Sequence, residues 1–200
     1  MGVYAPISNK YVHNKQSGEL NMAHKEGHNV PYIQWKLRVD GSWETVDTDF
    51  FFKDKTVVVF SLPGAFTPTC STQQLPGYED RYQEFLDEGI DDVYCISVND
   101  AYVMNAWAKD LGIEHVKMLP DGNQAFTRNM EQLVDKLREG FGKRSWRYAM
   151  IVKNTKIIKQ WVEEGKADNT EADPYSNTDP GTVINWIRGP YGQEKLSKED

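Results

Sequence analysis

The stretch "FSLPGAFTPTCSTQQLPGYEDRYQEF", Phe60 to Phe85, decides how the chain is read. It opens on the end of a β-forming run, passes through eight residues rich in Pro, Gly and Thr, reaches a cysteine, and becomes amphipathic. The run before it, "KTVVVFS", and the one after it, "VYCISV", are short and unbroken, the pattern of strands buried on both faces. Residues Ser71 to Glu88 between them are expected to be helical, with an interruption at Pro76-Gly77. The unit is β-loop-α-β, and Cys70 stands where the helix begins.

Outward from this unit, "IQWKLRVDGSWETV" alternates apolar and polar residues around Asp40-Gly41, a pair that favours a tight hairpin. "AYVMNAWAKDLG" steps Val103, Trp107 and Leu111 at helical spacing and closes on Gly112. "HVKML" predicts a strand, "QAFTRNM" a short helix, and "WRYAMIVKNTKIIKQWVEE" a hairpin turning at Asn154-Thr155. Asp179 is placed to cap a helix over "GTVINWIR", with Pro180 at its first position and Gly189-Pro190 at its end. The expected division is an N-terminal arm over 1–29, one domain over 30–189 and a polar tail over 190–200. The order of elements suggests a mixed central sheet with helices on both faces, an α/β arrangement of the thioredoxin-like kind with an N-terminal hairpin.

Bulk properties narrow the functions. A net charge of −7 provides no basic footprint for nucleic acid. No apolar run reaches membrane-span length, no secretory h-region is present, and the first 30 residues lack Arg, against a mitochondrial transit peptide. A cytoplasmic location is expected. The two cysteines, Cys70 and Cys95, form no C-x-x-C and fit neither a zinc cluster nor a disulfide scaffold.

Chemistry at sulfur needs thiolate, and a free cysteine, with a pKa of about 8.5, is only slightly ionised at neutral pH. A helix start offers unpaired N–H groups and the positive end of the dipole, together worth about 0.3–1 kcal/mol. Lowering a thiol pKa by about two units takes roughly 2.7 kcal/mol. A cation must supply the difference, with the hydroxyl of Thr67 or Thr69 as a further donor. Pro63 and Pro68 stiffen the loop and Gly64 permits close approach, which together describe a shaped pocket rather than a gap filled by a small thiol.

The frame Pro63, Thr67, Cys70, a P-x-x-x-T-x-x-C, resembles the peroxidatic loop of the peroxiredoxins, in particular the peroxiredoxin 5 (type II) subfamily. The likeness extends through "YCISVNDAYVMNAWAKD", "LPDGNQAFT" and "GFGKRSWRYAMIVKN", covering roughly 30–189. It implies a thiol peroxidase in which Cys70 attacks a hydroperoxide and becomes a sulfenic acid. Thr67 and Arg147 would hold the peroxide oxygens, Pro63 would shield the sulfur, and Arg144 is a secondary cation. No metal or organic cofactor is implied. Cys95, mid-strand among apolar residues, is expected to be structural, and no late resolving cysteine is present. The resemblance therefore implies a one-cysteine enzyme regenerated by glutathione and glutaredoxin in trans, akin to the peroxiredoxin part of peroxiredoxin-glutaredoxin hybrids, and a homodimer whose interface includes Phe66. A peroxide sensor or redox-regulated chaperone using Cys70 is the alternative, separated from an enzyme by stoichiometric rather than catalytic peroxide consumption.

Other constellations carry less. His24 and His28 have the spacing of two metal ligands on one helix face, but Gly27 and the polar surroundings weaken the helix and no carboxylate follows in H-E-x-x-H order. His115 would have to serve any Cys-His protease, and nothing around it resembles one. "GFGKRSW" lacks the third glycine of a dinucleotide loop and is expected to lead into the strand of Arg147. The tryptophans are expected in the core and at interfaces.

Overall fold

The computed structural model describes residues 25–197. Five strands form the central sheet in the order β5-β4-β3-β8-β9: Lys117–Pro120, Asp92–Ser97, Thr56–Leu62, Tyr148–Lys153 and Lys156–Val162. β3, β4 and β5 run parallel, while β8 and β9 are antiparallel to their neighbours. β3 and β4 are buried at almost every position, which explains their unbroken apolar sequences: each presents side chains to both faces of the sheet. This is the expected thioredoxin-like fold.

Each face carries its own apolar cluster. On one lie Val57, Val59, Tyr94 and Ile96 from the strands, covered by Trp35 of β1 (Gln34–Val39), Phe51 and Phe52 of α1 (Thr48–Phe52) and Phe126 of α5 (Ala125–Asn129). On the other lie Val58, Phe60, Val93 and Cys95, covered by α2 (Leu75–Asp80), α3 (Tyr82–Asp87), α4 (Ala101–Asp110) and α6 (Pro180–Arg188). Phe60, Tyr78 and Phe85 stack in a column, with centroids 4.0 and 5.8 Å apart. Burial of Trp35, Trp107 and Trp146 places three tryptophans in the core.

Both predicted hairpins form. β1 pairs with β2 (Ser42–Asp47) across Asp40 and Gly41, both at positive φ, as a tight two-residue turn requires. β8 and β9 turn at Asn154 and Thr155, also at positive φ. A β-branched residue is unusual there, and Thr155 is held by its N–H to Phe52 O (3.2 Å) and its carbonyl to Val30 N (2.8 Å).

Several expectations are corrected. The helix after Cys70 does not break at Pro76-Gly77. It opens as a π turn, Cys70–Gln74, runs through Pro76-Gly77 as α2, and breaks at Arg81 (φ −108°, ψ 11°) before α3. Pro76 lies in the first turn of the α segment, where a missing N–H is best tolerated. "GFGKRSW" is more than a lead-in: β7 (Gly142–Ser145) pairs with β6 (Leu133–Lys136) as a separate two-stranded ribbon. Residues 25–29, assigned to the arm, dock on β9, with Gly27 N–H on Ile157 O (2.8 Å). Pro190–Ser197, assigned to the polar tail, is α7; Leu196 packs on the core and Tyr191 meets Trp186 edge to face. His24 lies outside the described residues.

Asp179 caps α6 as anticipated, its Oδ1 accepting from Thr182 N at 3.0 Å. Asp179→Ala is expected to cost about 1 kcal/mol, seen as a lower urea midpoint at unchanged m value.

Candidate active site

The loop between β3 and the π turn brings Pro63, Gly64, Phe66, Thr67 and Cys70 together. Pro63 and Gly64 are buried, Phe66 stands half in solvent, and the Cys70 side chain is fully enclosed. Phe66 adopts φ +62°, a strained conformation for an aromatic residue. Its ring leans toward Trp107 with centroids 6.4 Å apart, and Trp107 Nε1 donates to Ser71 Oγ at 3.0 Å. Thr67 Oγ1 donates to Gly64 O at 2.7 Å, which fixes the hydroxyl and leaves its lone pairs as acceptors. Thr67 O accepts from Ser71 N at 3.0 Å, locking the loop to the helix start.

Leu75 N–H reaches back to Cys70 O, the i to i+5 bond that defines the π turn. The extra residue is absorbed just ahead of Pro76, where the ladder lacks a donor, and such turns concentrate at functional sites.

Arg147 projects from the junction of β7 and β8, beside the end of β3 where Tyr148 pairs with Ser61, and is 1% exposed. Its Nη1 lies 3.5 Å from Cys70 Sγ and also donates to Gln74 Oε1. Nη2 donates to the Asp173 carboxylate and Nε to Pro174 O at 2.9 Å, while the Tyr175 ring covers the guanidinium at 5.6 Å. Burial alone would weaken the charge of Arg147; the Cys70 sulfur and the Asp173 carboxylate outweigh it and hold the guanidinium more firmly protonated than usual. Gln74 is enclosed, and its Nε2 has no hydrogen-bond partner among the described residues.

Arg144, on β7, is a separate feature. Its Nη1 donates to Asn99 Oδ1 (3.2 Å) and Val98 O (3.5 Å), and Nε to Phe141 O (3.0 Å). Half-burial lowers its pKa, with the Cys70 sulfur pulling the other way. A Cβ on Gly64 would stand 2.7 Å from Arg144 Nη1, so any larger residue there would displace the end of this side chain. Asn99 Oδ1 also accepts from Ala65 N (3.0 Å) and Ser97 Oγ (2.7 Å), joining the loop, the end of β4 and Arg144 through one oxygen.

The structure therefore gathers Pro63, Thr67, Cys70 and Arg147 at one place, with Arg144 behind Gly64. Cys95 lies in β4, opposite Phe60 in register; burial pushes its thiol well above the ordinary value, and the Cys70 sulfur adds to this. His115 is elsewhere, exposed, with Nδ1 2.7 Å from Glu79 Oε1. No group of three or more metal-ligating side chains is found among the described residues, and no described helix is long and apolar enough to cross a membrane. Gln74, Asn99, Asp173 and Tyr175 were not singled out from sequence. Gln74 is four residues from Cys70 on the same helical run, the one spacing that could have pointed to it; the others depend on long-range approach.

The Redoxin family model matches residues 25–176. A peroxiredoxin, y4vD, of Sinorhizobium fredii is 51% identical over 169 residues, covering 80% of this chain and 89% of its own. The hybrid peroxiredoxin hyPrx5 of Haemophilus influenzae is 45% identical, covering 88% of this chain and 72% of its own. Among solved structures, the Plasmodium falciparum antioxidant protein, a 1-Cys peroxiredoxin, superposes with a TM-score of 0.79 at 38% identity, covering 82% of this chain and 99% of that one. With a thiol held against a buried arginine on a thioredoxin-like sheet, and with relatives of this closeness, the chain is a peroxiredoxin of the type II, peroxiredoxin 5 kind, a thiol peroxidase.

Proposed function

We propose that Cys70 is the peroxidatic nucleophile of a one-cysteine enzyme. The observation that carries this is the 3.5 Å approach of Arg147 Nη1 to Cys70 Sγ inside a closed site, which supplies the cation that a helix start alone is too weak to replace. The Cys70 thiolate attacks one oxygen of a hydroperoxide. The S–O bond forms as the O–O bond breaks, giving sulfenic acid and an alkoxide or hydroxide that takes a proton to leave as alcohol or water. Arg147 donates to the peroxide oxygens as charge moves from sulfur to the leaving atom, while Thr67 Oγ1, whose proton is held by Gly64 O, accepts from the peroxide O–H. Pro63, buried at the start of the loop, keeps bulk water from the sulfur.

Regeneration is assigned to glutathione and glutaredoxin. A glutathione thiolate displaces the sulfenic hydroxyl as water, forming a mixed disulfide, and a second thiol releases Cys70 with its electrons restored. The buried, raised thiol of Cys95 supports an external rather than an internal resolving thiol, as does the likeness to a 1-Cys peroxiredoxin. The hybrid relative supports a glutaredoxin-type partner. A homodimer through the face of Phe66 accounts for a strained aromatic residue that is 53% exposed.

Cys70→Ser is expected to abolish turnover of hydrogen peroxide with glutathione and glutaredoxin, whereas Cys95→Ser keeps most of it. Equal loss in both variants with the fold intact would overturn the one-cysteine assignment, and stoichiometric consumption by the native protein would favour the sensor. Arg147→Ala should slow peroxide attack about a hundredfold or more in stopped-flow measurements, beyond its effect on alkylation by iodoacetamide, because the arginine also holds the peroxide oxygens. Arg147→Lys should recover alkylation better than peroxide reduction, since a point charge replaces a planar fork. Analytical ultracentrifugation at micromolar concentration should show a dimer, and Phe66→Ala should weaken it; a native protein that stays monomeric removes the assembly.

A further inference from the structure

Arg147 is clamped from outside by a segment without regular secondary structure, in which Asp173 offers its carboxylate, Pro174 its carbonyl and Tyr175 its ring. Neighbouring points hold this segment to the domain. Lys136 Nζ donates to Thr170 O at 2.7 Å, and Tyr78 OH donates to Thr178 O at 2.7 Å. The densest anchor is Glu163, the residue after β9, which is fully buried. Its Oε1 accepts from the N–H groups of Ser176 (2.9 Å), Asn177 (2.8 Å) and Thr178 (3.0 Å) and from Thr178 Oγ1 (2.9 Å). Its Oε2 accepts from Ser176 Oγ at 3.0 Å. Burial would raise the carboxyl pKa, but these donors hold it below the ordinary range, so the group is an anion.

The main chain of the same residue is tied to the arginine. Glu163 N–H donates to Arg147 O at 3.1 Å, and Glu163 O accepts from Trp146 Nε1 at 2.7 Å. One residue thus fixes the backbone from which Arg147 projects and, through its carboxylate, the segment adjoining three of the groups that contact the guanidinium. We propose that Glu163 is a positioning residue for peroxide reduction, holding residues 176–178 so that Asp173, Pro174 and Tyr175 set the orientation of Arg147 at Cys70. It touches neither sulfur nor peroxide and acts through Arg147 alone. The inference rests on the role proposed above for Arg147.

The test compares two reactions of Cys70 in the full chain. Hydrogen peroxide needs thiolate and a correctly aimed guanidinium, whereas iodoacetamide needs thiolate only. Glu163→Gln keeps the size of the side chain but replaces one acceptor oxygen with a donor. It is expected to slow peroxide reduction about tenfold or more, toward the about hundredfold cost of a 1 Å misplacement, while alkylation changes by less than about twofold. Asp173→Asn should show the same selective loss, and the double variant should lose less than the product of the two, because both act on one guanidinium. Ser176→Ala, which removes one donor and leaves the carboxylate, should show a smaller loss of the same kind and carries the test if Glu163→Gln does not fold. An unchanged peroxide rate in a folded Glu163→Gln protein, or equal slowing of both reactions, overturns the proposal. If Arg147→Ala itself leaves the peroxide rate unchanged, the failure lies with the role of Arg147 rather than with Glu163.

Discussion

The contact between Arg147 and Cys70 constrains everything around it. A guanidinium 1% exposed is unfavourable unless its charge and most of its donors are matched, and here four of its five N–H groups have partners: Nη1 to sulfur and Gln74, Nη2 to Asp173, Nε to Pro174 O, with the Tyr175 ring across its face. These partners come from two separate parts of the chain and the arginine from a third. The π turn supplies Cys70 and Gln74, the segment after β9 supplies Asp173 to Tyr175, and the junction of β7 with β8 supplies the arginine. Removing any one of them leaves a buried charge less well matched, so the site and the fold are stabilised by the same bonds.

The loop that carries Cys70 is held in a conformation it would not choose alone. Phe66 has positive φ, and Gly64 allows an arginine side chain to lie against its backbone. Asn99 secures this arrangement by accepting from Ala65 N, Ser97 Oγ and Arg144 with a single oxygen. Strain at a surface aromatic residue, offset by hydrogen bonds from the sheet end behind it, is the form in which functional loops are usually kept ready. The two arginines differ in kind: Arg147 contacts the sulfur directly, while Arg144 braces the loop.

The contrast between the two cysteines follows from environment rather than from residue type. Both are buried and free. Cys70 meets a cation at the start of a helical run. Cys95 sits in a parallel strand among apolar side chains, where burial raises its thiol well above the ordinary value. Identity of 51% to a peroxiredoxin places the chain in that family, and the distinction between the thiols follows from their surroundings in the structure.

Much of this was legible in the sequence because it is local. Buried strands announce themselves as unbroken β-branched runs, Asp40-Gly41 and Asn154-Thr155 as turns, Asp179-Pro180 as a helix start, and the Pro63, Thr67, Cys70 spacing as a shaped loop with a thiol at its end. The α1 helix and the β6–β7 ribbon were not legible, since five residues and four-residue polar strands carry too little periodicity to stand out. Nor was the continuity of the helix through Pro76-Gly77, because the π turn upstream changes which carbonyl needs a donor. The sequence by itself determined the buried strands, the turns and the loop that ends on Cys70, all set by patterns within a few residues. Only the tertiary structure decided which groups surround Arg147. Gln74 and Asp173 lie 73 and 26 residues from it in the chain, and no local pattern encodes a contact that exists only after the sheet has brought those segments together.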